Sequence, residues 1–235
     1  MIKTFAFWVS ILAVALAVLA GFGSRFGLWH FRTGFSILKI SAYAGLAGAI
    51  IALGALALER SGSRVQAIFA VLIGLGVFSV PWNYMRTAKK VPVIHDISTN
   101  TSNPPAFVAV LPLRKDALNP AEYGGAEIAE KQKAAYPDII PLDLKMPADQ
   151  AFSKALAAAK KMGWEIVDAD AKDGRIEATD MTFWFGFKDD IIVRVAGEKD
   201  GSRIDVRSVS RVGKGDVGTN AKRIRKYTKE LNRLG

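Results

Sequence analysis

The stretch Trp164–Val212, "WEIVDADAKDGRIEATDMTFWFGFKDDIIVRVAGEKDGSRIDVRSVSRV", decides the fold. Apolar and polar residues alternate through most of it, the period of a half-buried strand. The pairs Asp173-Gly174 and Asp200-Gly201 supply hairpin turns. The pattern predicts four antiparallel strands at Trp164–Ala169, Arg175–Phe187, Ile191–Gly197 and Arg203–Val212. The second of these changes parity, from Ile176 and Ala178 to Met181, Phe183, Phe185 and Phe187. A bulge near Thr179–Asp180 would reconcile its two halves. Trp184 then falls on the opposite face, which implies that the sheet's second side is covered as well, by the linker or by the membrane portion. Lys188-Asp189-Asp190 reads as a hairpin turn.

Helical patterns flank the strands. Ala148, Ala151, Phe152, Ala155, Leu156, Ala159 and Met162 share one helical face. Pro147 suits its first turn, Asp149 complements the helix dipole and Gly163 suits its end. A helix is expected over Gly125–Ala135, stopped by Pro137, and a short strand within Ile139–Leu144. A last helix starts near Thr219 and buries Ile224, Tyr227, Leu231 and Leu234. Residues 115–235 thus read as an α+β domain, an antiparallel β-meander with helices packed on one face. Before it, Pro104-Pro105 argues against helix, so residues 87–114 read as an extended linker or edge segment.

Residues 1–86 have a different character. Thr4–Phe22, Ile40–Leu58 and Val65–Met85 carry no charge. Each has the ~20 apolar residues that a helix needs to cross a bilayer. A cleaved signal peptide would account for the first but not for the other two. The reading is three N-terminal transmembrane helices. In the second, Ser41, Gly45 and Ala49 form one small-residue stripe and Ala44, Gly48 and Ala52 another, suited to packing among the spans or between copies. Lys39 at its edge can snorkel to the headgroups. Pro81, Trp82, Asn83 and Tyr84 read as an interfacial end to the third. The span centres lack acids and bases, which argues against a pump or transporter.

The chain of 235 residues has no cysteine, only two histidines, His30 and His95, and a formal charge of +10. Disulfides, thiolate metal sites and Cys nucleophiles are excluded, and no metal or other cofactor is expected. Residues 86–206 are nearly neutral, whereas Arg207–Arg233 holds nine basic and two acidic residues. Around the spans, Lys3, Arg60 and Arg64 flank one side and Arg25, Arg32, Lys39, Arg86, Lys89 and Lys90 the other. The positive-inside rule therefore favours a cytoplasmic soluble domain.

Gly213-x-Gly215-x-x-Gly218 spells the dinucleotide fingerprint between a strand and a helix. The parallel strand and the acidic residue that such a site needs have no counterpart after it, and the strands before it form a meander, so a nucleotide is not the expected ligand. Two readings remain open: a tight turn whose helix is capped by Asp216, Thr219 or Asn220, or a site for an anion or lipid phosphate. The anion or lipid set comprises Arg207, Arg211, Lys214, Gly213, Gly215, Gly218, Arg223 and Lys226. Lys222, Arg223, Arg225, Lys226, Lys229 and Arg233 on the last helix suit a solvated face or anionic headgroups, and nucleic acid is not expected for a domain beside a bilayer. The alternative is a membrane-anchored hydrolase using His95 with Asp96, Asp189 or Asp190 as acid–base partners.

Five ordered blocks, "VPVIHDISTNTSNPPAF", "AAYPDIIPLDL", "KMGWEIVDADAKDGRIEAT", "FWFGFKDDIIVRV" and "DVRSVSRVGKGDVGTNAKRI", resemble the bacterial and plastid family called domain of unknown function 1499. The likeness runs from about Pro92 to the C-terminus, and the membrane-spanning part is similar to a subset of its members. The family has no established activity, so the resemblance implies no catalytic residue. It does imply a domain outside the cytoplasm, against the charge count. The resulting expectation is a bacterial inner-membrane protein, its domain on the exported side, binding an envelope lipid, anion or protein partner without catalysis.

Overall fold

The structure, a computed structural model, describes residues 1–58 and 64–233. Two expectations touch residues outside these: the flanking charge Arg60 and the apolar Leu234. The chain forms two compact units, Met1–Lys89 with Thr182–Gly186, and Lys90–Met181 with Phe187–Gly235.

In the first unit α1 (Ile2–Arg25), α2 (Phe31–Leu58) and α3 (Arg64–Ala88) are each long and apolar enough to cross a membrane. Small residues face inward and large ones outward. Ala6, Ser10, Ala13, Ala49, Ala52, Ala67 and Ala70 are buried, whereas Trp8, Leu12, Ile50, Leu53, Phe69 and Leu72 are exposed. That inversion suits helices whose packing comes from close backbone approach, with lipid as the outer solvent. Gly45 of α2 meets Gly74 of α3 so closely that a β-carbon on Gly74 would lie 2.2 Å from the Gly45 carbonyl oxygen. Gly48 lies against Ala6 and Ser10 of α1, and the Ser10 hydroxyl donates to the Ala70 carbonyl of α3 at 3.0 Å. The two stripes of α2 thus turn to two different neighbours. The helices outrun the uncharged stretches: α2 begins at Phe31, and α3 runs through Pro81 to Ala88 instead of ending at the Pro81–Tyr84 aromatics.

Residues 182–186 correct the longest predicted strand. β4 (Arg175–Met181) stops before them and β5 (Lys188–Glu198) starts after them. Arg25 donates to the carbonyls of Thr182 and Phe183 at 2.9 and 2.7 Å. Phe183 meets Phe22 edge-on, Phe185 lies against Phe35, and the Trp184 indole occupies the place where a β-carbon on Gly21 would stand. The change of parity at Met181 therefore marks an exit from the sheet, because these aromatics pack on α1 and α2. The bulge lies instead in β3 (Glu165–Asp170), between Ile166 and Asp168.

The second unit is one antiparallel sheet in the order β1-β6-β5-β4-β3, with β1 (Asp96–Ser98) and β2 (Leu142–Leu144) both pairing with β6 (Gly201–Ser210). The segment read as an extended linker or edge segment thus supplies β1, at one edge of the sheet. Ser98 exchanges its backbone N–H and C=O with the Gln132 carboxamide at 2.9 and 2.7 Å, so a side chain of α4 (Gly125–Ala135) completes that strand. Lys188, Asp189 and Asp190 are not a turn; all three lie in β5, and both aspartates are buried.

One face of the sheet carries Ile97, Ala178, Ile191, Val193, Ile204 and Val206 and packs on α5 (Ala148–Lys161) and α6 (Thr219–Arg233). Ala151, Phe152, Ala155 and Ala159 come from α5, and Ile224, Tyr227 and Leu231 from α6. Trp164 stacks on Tyr227, whose hydroxyl donates to the Ala155 carbonyl at 2.9 Å. The opposite face is smaller in its apolar part. Phe107 and Val110, from the segment after β1, join Ile192 and Val209 there.

Candidate functional site

Antiparallel partners share a face, so the register places Asp96, Val209, Asp190 and Thr179 in one row, and Ser98, Arg207, Ile192 and Glu177 in the next. Both rows lie on the face covered by residues 99–123. Asp96 takes Arg207 in a bidentate pair, 2.9 and 2.7 Å. Arg207 also donates to the carbonyls of Pro105 and Ala121, and its guanidinium lies over Phe107 and near Tyr123, 5.2 and 5.4 Å from the ring centroids. Asp190 accepts from the Thr179 hydroxyl, from two nitrogens of Arg211 and from Arg114. Glu177 accepts the backbone N–H groups of Val108, Ala109 and Val110 at 2.9 to 3.0 Å, with Arg175 on the same carboxylate. Arg194 bridges Asp205 to the Asn103 carbonyl. The segment 99–123 is thereby fastened to the sheet by charges whose partners are themselves charged or backbone groups.

A second polar cluster lies on the α6 side. Arg223 reaches Asp180 at 2.8 Å and Asp189 at 2.6 Å, and it also donates to Ser208 and Asn220. Asn220 in turn donates to the His95 carbonyl and to Ser210. Asp216 caps α6: one carboxylate oxygen takes the Gly218 N–H at 2.8 Å and the other the Asn220 N–H at 2.7 Å. Gly213 and Gly218 have φ of 98° and 78°, so the glycines serve the turn geometry, with Val217 between them at φ 53°. Of the three glycines read as an anion cradle, Gly218 thus already gives its amide to a carboxylate of the chain.

Burial dominates the titration of Asp96, Asp216 and Tyr123. It raises the pKa of Asp96 above the ordinary carboxylate range, with the Arg207 pair pulling in the other direction. It raises Asp216 too, against the two amides that favour the anion. Tyr123 is pushed up to about 12 by burial and by the neighbouring Asp96 charge.

Outside these clusters, α6 presents Lys222, Lys226, Lys229 and Arg233 at a four-three-four spacing, one exposed stripe. Among the described residues the three lysines make no ion pair, and Arg233 has only a 3.6 Å contact with Glu230. Arg225, off the stripe, pairs with Asp138 at 2.6 Å. Beside the C-terminal half of α6 lies a groove of about 580 Å³, bounded opposite by residues 138–142.

A family model described as "Protein of unknown function (DUF1499)" matches residues 96–231. The chain belongs to this family. The match to DUF1499 opens at Asp96, the partner of Arg207, and closes at Leu231, the last buried residue of α6, so it encloses both ion-pair clusters. Among curated proteins no match was found.

Within the DUF1499 domain the residues singled out in the sequence fall into separate groups. Arg207 and Arg211 face the 99–123 segment, Arg223 reaches from α6 to the opposite face of the sheet, and Lys214 and Lys226 are exposed. Gly213, Gly215 and Gly218 form the turn before α6. Of the acid–base set, Asp189 and Asp190 point to opposite faces, and the oxygens of Asp96 are held by Arg207. The ring nitrogen Nδ1 of His95 lies 3.3 Å from the Lys214 carbonyl oxygen. Among the described residues no three His, Asp or Glu side chains converge as a metal site. Sequence reasoning missed Arg114, Glu177, Arg194 and Asp205. The signal was available in the opposite-sign charges at alternate positions, Arg175-x-Glu177 and Asp205-x-Arg207, inside strands that also carry apolar residues.

Proposed function

We propose that the DUF1499 domain of this chain is a non-enzymatic binding module whose ligand is an anionic envelope lipid. One observation carries the reading: the interior arginines and aspartates are spent on one another, while Lys222, Lys226 and Lys229 of α6 face solvent with no ion pair among the described residues. Arg207, Arg211 and Arg223 act as framework, and contact with the lipid falls to Lys226 with Lys222 and Lys229, and to Lys214 on the turn. Each basic residue close to an anionic surface adds ~1 kcal/mol of attraction. Three spans in the same chain keep the domain tethered to a membrane, which raises the local concentration of that ligand.

In this reading the chain resides in a bacterial inner membrane with its domain on the exported side, as its resemblance to exported relatives implies. A reporter fused after Gly235 and active only outside the cytoplasm tests the side. The ligand is tested on the full-length chain in mild detergent by counting retained phospholipids with native mass spectrometry. Phosphatidylglycerol and cardiolipin should be retained over phosphatidylethanolamine. The triple change Lys222→Glu, Lys226→Glu, Lys229→Glu should lower that retention roughly tenfold or more. Equal retention by both proteins would remove the lipid reading.

A further inference from the structure

The groove beside α6 has a chemistry that the cationic stripe alone does not use. Its floor is apolar, with Ile139, Leu142 and Ile224, and its edge carries Ile140, which is 65% exposed. Ile140 therefore extends the apolar surface of the floor to the rim of the groove. One wall is cationic. Arg225 is neutralised by Asp138, but Lys229 makes no ion pair among the described residues, and Arg233 has only a 3.6 Å contact with Glu230, whose carboxylate is closely paired with Lys161. The volume, about 580 Å³, lies in the ordinary range for a small-molecule site. The groove therefore offers apolar surface on one side and uncompensated positive charge on the other, and that charge continues along α6 to Lys226 and Lys222.

We infer that the groove seats the acyl portion of an anionic phospholipid, with the phosphate held by Lys229 and Arg233. The charge complementarity selects this occupant. A neutral amphiphile would leave the cations unanswered, and an inorganic anion would leave Ile140 and the open part of Leu142 uncovered. The inference rests on the lipid reading above and adds a place and a binding mode to it: the α6 stripe attracts headgroups from outside, whereas the groove takes a chain out of the water.

The test uses the full-length chain in nanodiscs of zwitterionic lipid. A water-soluble lysophosphatidylglycerol bearing a diazirine on its acyl chain is added, photolysed, and mapped by peptide mass spectrometry. The expected label falls on peptides containing Ile139–Leu142 and Ile224–Asn232. It should drop several-fold in Ile140→Asp and in Lys229→Glu, and several-fold again when the probe carries a phosphocholine headgroup. Ile140 and Lys229 are exposed, so both variants should keep the wild-type circular dichroism spectrum and melting curve. Label confined to the membrane helices would overturn the groove assignment, even if lipid retention still depended on the α6 lysines. Equal labelling by the phosphocholine probe would overturn the anionic headgroup. Loss of lysine-dependent retention together with persistent groove labelling would fail the stripe reading and leave the groove standing.

Discussion

Arg207 is 2% exposed, yet it holds a full positive charge against Asp96, two carbonyls and two aromatic rings. A buried pair of this kind contributes little net stability over an apolar replacement, but losing one partner strands the other. Arg207→Met should therefore destabilise the domain by ~3–5 kcal/mol in chemical denaturation. It should also push the Asp96 pKa further up, since both contributions of Arg207 lower it; carboxyl NMR reads that shift, and a fall would contradict the assignment. Asp216 gives a pH prediction. Its folded pKa is raised, so the folded state binds more protons than the unfolded chain between ~3.9 and the raised value, and its contribution is lost as pH rises through that window. The unfolding free energy of the wild type minus that of Asp216→Asn should shrink from acid toward neutral pH. A difference that grew instead would mean that the two amides outweigh burial.

Elements test closer contacts. Gly74 and Gly76 lie on the same helix, two residues apart. A β-carbon on Gly74 would strike the Gly45 carbonyl oxygen at 2.2 Å, while one on Gly76 would meet nothing within 4 Å. Gly74→Val should separate α2 from α3 and sharply lower the melting temperature of the detergent-solubilised chain. Gly76→Val, on the open face, should leave it within a degree or two, the usual result of a surface substitution away from special features. Equal effects would show that helix propensity, and not the α2–α3 approach, controls the response. In the second unit the same logic of fastening applies to residues 99–123. Three consecutive N–H groups on one Glu177 carboxylate stand in for the hydrogen bonds that a regular strand would have made.

At the scale of the whole chain, charge is sorted by depth. Acids and bases avoid the span centres and pair within the sheet domain, whereas Lys222, Lys226 and Lys229 of α6 have no ion-pair partner among the described residues. The lipid-retention experiment belongs here, because it asks whether the surplus of basic residues after Val206 acts as one surface. Its salt response is a further check: attraction by exposed lysines weakens as ionic strength shortens the screening length to ~8 Å and below. A retention that ignored salt would contradict attraction by exposed lysines.

Local chemistry determined much of this protein in advance. The three spans, the α+β class, the bounds of the helix Gly125–Ala135, the stop at Gly163 and the buried stripe of α6 all follow from hydropathy, period and turn residues, each acting over a few neighbours. What only the tertiary structure decided involves residues far apart. Phe183, Trp184 and Phe185 continue an alternating pattern in the sequence, and only the presence of α1 and α2 draws them out of the strand. Asp189 and Asp190 read as a turn because charged residues favour solvent, but Arg223, Arg114 and Arg211 arrive from other elements to make their burial tolerable. For the same reason, which cations stay free on α6 was not legible from composition. A charge is available for binding only if no partner reaches it, and partners separated by a hundred residues are chosen by the fold.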